Sequence, residues 1–227
     1  ADGVAAVFLQ PRAQNPTGVT CSARRVAQIA KVLASSSAVV VEDDHSGDIA
    51  NGSLESLGTH LPHRVVHIRS YSKSHGPDLR LAAVGGAGEV VSAISNRRLL
   101  GAGWSSRILQ AVLLEMMGDQ PTIDAVARAR AEYARRRRAV SELLTAHGVS
   151  WTGTDGINLW MQVADERTAL ITLAAQGIGA APGAPFMVQP DQPSLRVTVG
   201  LIDHDLERIA ERLADAAGVQ ASRARLR

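Results

Sequence analysis

The stretch Ser70–Arg80, SYSKSHGPDLR, follows a short apolar run and determines how the fold of this chain is interpreted. It contains Lys73, one of only two lysines among the 24 basic residues of a 227-residue chain. Arginine stays protonated in proteins, whereas a lysine amine becomes a nucleophile once burial or a nearby cation lowers its pKa. A surface lysine in a polar loop is the alternative. The use of lysine at this point of an arginine-rich chain favours a reactive amine.

Apolar runs on both sides of this stretch predict the strands of one sheet. They are the segments 4–10, 38–41, 64–69 and 81–85. A helix is predicted between the first two, because Val26, Ile29 and Leu33 recur at helical spacing. Apolar strands separated by a helix or a longer connection predict an α/β fold with a mostly parallel sheet.

Helices predominate after residue 89, and short strands return after residue 149. This change predicts a second, smaller α+β domain behind a long helix. The predicted organisation is a partial large domain over residues 1–120, a linking helix over 121–147, a small C-terminal domain over 148–219 and a tail over 220–227.

The composition is that of an ordinary soluble globular protein, with 45% apolar and 20% charged residues. No apolar run approaches the roughly 18 residues of a membrane span. A single cysteine, Cys21, excludes an internal disulfide and fits a reducing cytoplasm. The net charge of +2 and the 3% of aromatic residues argue against a nucleic-acid face on this chain. No Cys/His cluster with zinc spacing is present, so we expect no metal.

Polar groups follow three successive predicted strands. They are Asn15, then Asp43, then the stretch from Ser70 to Lys73. Ligands of open parallel sheets bind at the carboxyl ends of the strands. Each group alone is a weak signal, but the ordered set of amide, carboxylate and lysine predicts a binding site at this edge.

The motifs that carry these groups resemble one known family. They are NPTG at 15–18, EDD at 42–44, SYSK at 70–73 with an arginine seven residues after the lysine, PGAPF at 182–186 and LRVTVG at 195–200. Their order and separation are similar to those of the class I/II, fold-type I aminotransferases that use pyridoxal 5'-phosphate (PLP). The resemblance runs from about residue 4 to residue 217. It implies the aspartate aminotransferase fold, with the C-terminal part of the large domain and a small domain, and we expect a piece of a longer protein.

The resemblance implies a role for each group near the reactive end of the cofactor. Lys73 would form the internal aldimine with PLP and later move the Cα proton. Asp43 would face the pyridine nitrogen and keep it protonated. Asn15 would hydrogen-bond the phenolic oxygen. His45 stands where the family usually has a tyrosine, and its imidazole can donate a similar hydrogen bond.

The resemblance also implies two separate anion sites. Ser70, Ser72 and Arg80 would hold the phosphate of the cofactor. Arg196, together with Asn15, would bind the α-carboxylate of an amino-acid-like ligand.

The segment EDDHSGDI at 42–49 resembles regulators of the MocR type within the GntR family. In those proteins a winged-helix DNA-binding domain precedes an aminotransferase-like domain that senses an effector. We therefore expect a cytoplasmic, PLP-binding effector domain that forms a homodimer, turns over weakly or not at all, and reaches DNA only through a domain absent from this chain. The alternatives are a free-standing aminotransferase, which passes an amino group from an amino acid to a 2-oxo acid, and a remnant that binds no cofactor.

Overall fold

The structure is a computed structural model that describes residues 3–189 and 192–218. The chain divides into two compact units. The first unit contains residues 3–13 and 20–130, and the second contains residues 14–19 and the described residues from 131 onward. The tail over 220–227 lies outside the described residues, and the division into domains drawn from the sequence stays a prediction.

The first unit is built on a four-stranded sheet in the order β1-β2-β3-β4. Its strands are β1 (Ala6–Leu9), β2 (Val39–Asp44), β3 (Val65–Ser70) and β4 (Ala82–Gly86). β1, β2 and β3 run parallel, whereas β4 runs antiparallel to β3. The direct turn from β3 to β4 accounts for the reversal, since a parallel neighbour needs a long crossover connection. The prediction of a mostly parallel sheet is confirmed.

Helix α1 (Ala23–Leu33) covers one face of this sheet. The Ser22 side chain caps its first turn by accepting from the Arg25 amide. Val26 and Ala30 pack with Val40 of β2 in a buried core. The unit continues with α2 (Gly88–Leu99) and α3 (Arg107–Gly118), and α4 (Gln120–Ala146) starts in it and ends in the second unit.

The second unit contains an antiparallel sheet in the order β5-β6-β8-β7. Its strands are β5 (Trp151–Thr152), β6 (Asn158–Gln162), β7 (Ala181–Pro182) and β8 (Ser194–Thr198), and its helices are α5 (Glu166–Ala175) and α6 (Leu206–Ala217). Side chains from α5, α6 and the end of α4 cover one face, where Leu144, Leu159, Leu173, Leu195 and Leu213 are fully buried.

Alternation along β8 separates this core from a polar face. Leu195 and Val197 enter the core, so Arg196 and Thr198 lie on the opposite face. Asn158 pairs with Thr198 and Trp160 with Arg196 across β6 and β8, which places these four side chains together.

Candidate functional site

The three parallel strands of the first sheet end at one edge and present polar groups on one face. The register pairs Phe8 with Val41 and Asp43 with Ile68. Because side chains alternate between faces, Asp43 and Ser70 share the face opposite α1. Phe8 on the same face is 76% exposed. Asp43 and Ser70 are each partly exposed on this face, so a ligand can contact both side chains.

Gln10 is the partner of Asp43 and was missed by the sequence reasoning. Its Nε2 donates to Oδ2 of Asp43 at 2.8 Å, and the pair is partly buried. The motifs predict no amide partner for this carboxylate, since they assign Asn15 to the phenolic oxygen of the cofactor and to the ligand. The strand register gives a signal for Gln10. Leu9 pairs with Glu42, so Gln10, the next residue after β1, lies beside Asp43.

The lysine turn connects β3 to β4 and closes on itself. The Tyr71 amide donates to the Leu81 carbonyl at 3.2 Å, and the Ser72 amide donates to Oγ of Ser70 at 3.3 Å. Arg80 lies just inside this closure with a φ of 50°, so the base of the turn gathers two serines and a permanent cation.

Lys73 and Arg80 are both exposed in this turn. Among the described residues, neither side chain has a hydrogen bond or ion pair. The permanent charge of Arg80 beside serine donors suits an anion, and the exposed Lys73 side chain is accessible to a carbonyl compound.

His45 directs one ring nitrogen at the backbone. Its Nε2 lies 2.9 Å from the Ala13 carbonyl oxygen, which accepts only, so Nε2 carries a proton and donates. Nδ1 of the neutral ring is then an acceptor, so this arrangement leaves His45 no hydrogen to donate to a cofactor oxygen.

The neighbours of Asp43 along β2 point to the other face and form a buried ionic cluster. Asp44 is fully buried and receives hydrogen bonds from Arg12, at 3.1 and 2.7 Å, and from Arg69. Burial of Asp44 opposes ionisation, but the two guanidinium groups outweigh it and hold the pKa of this carboxyl below its ordinary value. Arg69 also pairs with Asp48.

Glu42 is the second buried carboxyl on that face. Its oxygens accept from the Ser56 hydroxyl and the Leu57 amide, both at 2.7 Å, and lie 3.4 Å from Nδ1 of His67. Burial raises the pKa of Glu42, yet these hydrogen bonds together lower it below its ordinary value. Both carboxyls anchor β2, the strand that carries Asp43.

The NPTG motif belongs to the second unit. The Gly18 carbonyl accepts from the amides of Thr154 and Asp155 at 3.0 Å each. Gly18 has a φ of 63°, and a Cβ there would lie 2.7 Å from the Asn158 carbonyl oxygen. Glycine is needed at this position because the turn lies directly against the backbone that leads into β6.

This docking brings Asn15 to Arg196. Nη1 of Arg196 donates to Oδ1 of Asn15 at 3.0 Å. The Arg196 guanidinium lies 5.3 Å from the centre of the Phe186 ring, within the range of a cation–π contact. Its Nε is buried without a partner among the described residues. The two residues predicted to bind a carboxylate are thus in contact.

The structure therefore groups the predicted residues in two sets. Asp43, Ser70, Lys73 and Arg80 lie at the strand edge and turn of the first unit, and Asn15 lies with Arg196 in the second. The described residues contain no cluster of metal-ligating side chains. Within the same residues, no helix is long and apolar enough to cross a membrane.

Residues 2–213 match the family described as Aminotransferase class I and II. The vitamin B6 salvage pathway transcriptional repressor PtsJ of Salmonella typhimurium is 31% identical, over 92% of this chain and 49% of the relative. Aminotransferase swnA of Metarhizium robertsii is 32% identical, over 71% of this chain and 36% of the relative. The chain thus spans half of these relatives or less.

The fold is similar to that of solved aminotransferases. Kynurenine aminotransferase of Pyrococcus horikoshii superposes with a TM-score of 0.84 at 22% identity, covering 95% of this chain and 56% of that one. This likeness confirms the fold predicted from the motifs.

Proposed function

The chain belongs to the class I and II aminotransferase family, and from this premise we propose that it is the PLP-binding, effector-sensing domain of a MocR-type transcriptional regulator. The observation that carries the proposal is the lysine turn beside Asp43, a set of groups that suits this cofactor. A relative that is a transcriptional repressor of vitamin B6 salvage supports the regulatory part.

The chemistry of the first unit fits PLP. When bound, this cofactor supplies an aldehyde that bonds to an amine and a ring that withdraws electrons from the carbon beside the new bond. The exposed amine of Lys73 is available for that bond. Asp43 keeps a carboxylate on the accessible face of the sheet, where it can stabilise a protonated ring nitrogen.

The base of the turn provides the phosphate site. Arg80 contributes a charge that does not vary with pH, and the Ser70 and Ser72 hydroxyls contribute neutral donors. The closed turn holds all three near the end of β3. Because a dianion is costly to desolvate without a cation, we expect Arg80 to account for most of the phosphate affinity.

Arg196 and Asn15, in the second unit, are the residues that we assign to the ligand. The planar guanidinium pairs with a carboxylate through two parallel hydrogen bonds. Its contacts with Phe186 and Asn15 restrict its orientation before a ligand arrives, which lowers the entropy lost on binding. The ligand class we propose is therefore an amino acid or a close analogue. By analogy with the family, we also assign Asn15 to the ring oxygen of the cofactor.

The competing function is a free-standing aminotransferase, which the similarity to swnA favours. Both functions use the same residues, and they differ in what the rest of the protein does. We propose a homodimer in either case, with DNA contacted only by segments outside this chain.

The test of cofactor binding uses the full-length protein with added PLP. We expect a visible absorbance band that Lys73→Ala abolishes. Lys31→Ala is the matched control, because Lys31 is the other lysine and is exposed on α1. A band that survives Lys73→Ala would show that the amine is assigned to the wrong residue.

The two functions are separated by measuring turnover and DNA binding on the same preparation. A regulator shows DNA binding that responds to PLP and slow or undetectable amino transfer to a 2-oxo acid. Rapid, sustained amino transfer without DNA binding would favour the aminotransferase.

A further inference from the structure

The guanidinium of Arg196 lies beside two aromatic side chains of the second unit. It is 5.3 Å from the centre of the Phe186 ring, and Trp160 is the partner of Arg196 across β6 and β8. The ring centres of Trp160 and Phe186 are 6.2 Å apart, and the two rings are nearly perpendicular, at 88°. The residue that we assign to a carboxylate therefore adjoins an aromatic corner, formed by Trp160 and Phe186.

The backbone around the aromatic corner holds both rings in place. Gly183 lies against Trp160, since a Cβ at this glycine would be 2.8 Å from Cη2 of the indole. The carboxylate of Glu166 accepts from the amides of Gly183 and Ala184 at 2.7 and 2.9 Å. In the same turn the Phe186 amide donates to the Gly183 carbonyl at 2.8 Å. The aromatic corner is thus preorganised, which reduces the entropy lost when a ligand binds.

The aromatic corner borders a cavity of about 620 Å³, which is within the size range of small-molecule sites. Met187 and Val188 add apolar surface to this cavity, and Pro16 of the NPTG turn also lines it. None of the described residues that line the cavity carries a charge. The cavity therefore suits a ligand group that is large and uncharged.

The distribution of charge disfavours an acidic or a basic ligand side chain. An acidic one would find no cation among the described lining residues once the α-carboxylate of the ligand occupies Arg196. A basic one would meet the like charge of Arg196 beside Phe186. An aromatic side chain, by contrast, can meet the face of one ring and the edge of the other, which is an arrangement that aromatic pairs prefer.

We propose that the ligand of this domain carries a neutral aromatic side chain, that this side chain occupies the cavity, and that Trp160 determines the preference. The inference rests on the proposed function, since it needs Arg196 to hold the α-carboxylate. In an aromatic amino acid only two carbon atoms separate the carboxyl carbon from the ring. The two ends of such a ligand therefore match neighbouring protein groups, Arg196 and the aromatic corner.

The test uses carboxylates that lack an amine, so that no reaction with the cofactor affects the measurement. 3-Phenylpropionate carries an aromatic ring, and glutarate carries a second carboxylate at a similar distance from the first. Calorimetric titration of the full-length, PLP-loaded protein should give a Kd about tenfold lower for 3-phenylpropionate than for glutarate. Equal affinities, or tighter binding of glutarate, would overturn the inference.

Variants of Trp160 test its role in this preference. Trp160→Leu should raise the Kd of 3-phenylpropionate about fivefold and leave that of glutarate unchanged, and Trp160→Phe should retain most of the affinity because it keeps a ring. The unchanged affinity for glutarate also shows that the variant is folded. Equal effects of Trp160→Leu on the two probes would overturn the assignment of the preference to this residue.

Arg196→Gln tests the proposed function separately. Both probes should bind about tenfold more weakly to this variant, because each loses the cation that pairs with its carboxylate. Undiminished binding of both probes would overturn the carboxylate assignment and this inference with it. Probes that need Arg196 but are not distinguished from each other would overturn the inference alone.

Discussion

Gln10 donates a 2.8 Å hydrogen bond to Asp43 across the ends of two parallel strands. One carboxylate oxygen is thereby held by the protein, and the side chain is oriented before any ligand binds. Preorganised groups of this kind avoid the entropy that a mobile side chain loses on binding. The contact makes Gln10 a support for the residue that we assign to the ring nitrogen.

Replacing Gln10 with alanine should weaken PLP binding without unfolding the protein. One lost hydrogen bond to a partly buried carboxylate costs about 1 kcal/mol, which corresponds to a roughly fivefold higher Kd. The measurement is a PLP titration followed by visible absorbance. Gln110→Ala, at an exposed position of α3, should leave the Kd unchanged. Equal effects of the two substitutions would remove Gln10 from the site.

The sequence placed the carboxylate of Asp43 at a strand end but did not indicate the Gln10 amide that donates to it. Asn15 and Gln10 both follow β1, and a linear motif does not reveal that residues 14–19 pack with a sheet formed more than 130 residues later. Contacts at such separation depend on the docking of Gly18, which is a property of the folded backbone. The end of an apolar run, by contrast, is a local signal, and it was sufficient to place Asp43 at the carboxyl end of a strand.

For the arginine run at 135–138, helix geometry allows a prediction from the sequence alone. Consecutive helical residues point in different directions, so four arginines predict no single basic stripe. In the structure Arg137 is buried and donates to the Gly156 carbonyl, whereas Arg135 keeps 57% of its side chain exposed. The sequence did not predict that the Gly156 carbonyl would accept a hydrogen bond from Arg137.

Asp44→Asn should destabilise the first unit strongly. The substitution leaves buried Arg12 without its carboxylate and takes from partly buried Arg69 one of its two, and the loss of a buried pair costs about 3 kcal/mol or more. Asp48→Asn is the matched control, since Asp48 also pairs with Arg69 but its side chain is 40% exposed. Its expected cost is below about 1 kcal/mol. Urea unfolding of the two variants measures the difference, and similar costs would show that the buried cluster contributes little.

The same carboxyls should make the protein sensitive to acid. The pKa values of Glu42 and Asp44 are lowered from ordinary values of 4.5 and 3.8, so their ionised forms stabilise the folded state. That contribution is fully present above the unfolded pKa values and is lost as the pH falls below them toward the folded values. We expect the free energy of unfolding to fall more steeply below pH 4.5 in the unsubstituted protein than in Glu42→Gln. If the free energy of unfolding falls equally steeply with decreasing pH in the two proteins, this assignment is contradicted.

Gly18→Ala should disrupt the docking of the NPTG turn. The added Cβ would lie 2.7 Å from the Asn158 carbonyl oxygen, at a φ of 63° that disfavours alanine. A backbone oxygen cannot move aside as a flexible side chain can, so we expect a loss of about 2 kcal/mol or more. Gly179→Ala is the control in the same unit, because a Cβ there meets nothing within 4 Å, and it should change stability by less than about 0.5 kcal/mol.

The measurement for this pair exploits the positions of the tryptophans. Trp151 and Trp160 lie in the second unit, so a Trp104→Phe background makes fluorescence report on that unit alone. Because the turn also carries Asn15, the Gly18→Ala variant should lose affinity for amino-acid ligands along with stability, whereas Gly179→Ala should lose neither. A Gly18→Ala protein with unchanged unfolding and unchanged ligand affinity would show that the turn binds the sheet less closely than its hydrogen bonds to residues 154 and 155 indicate.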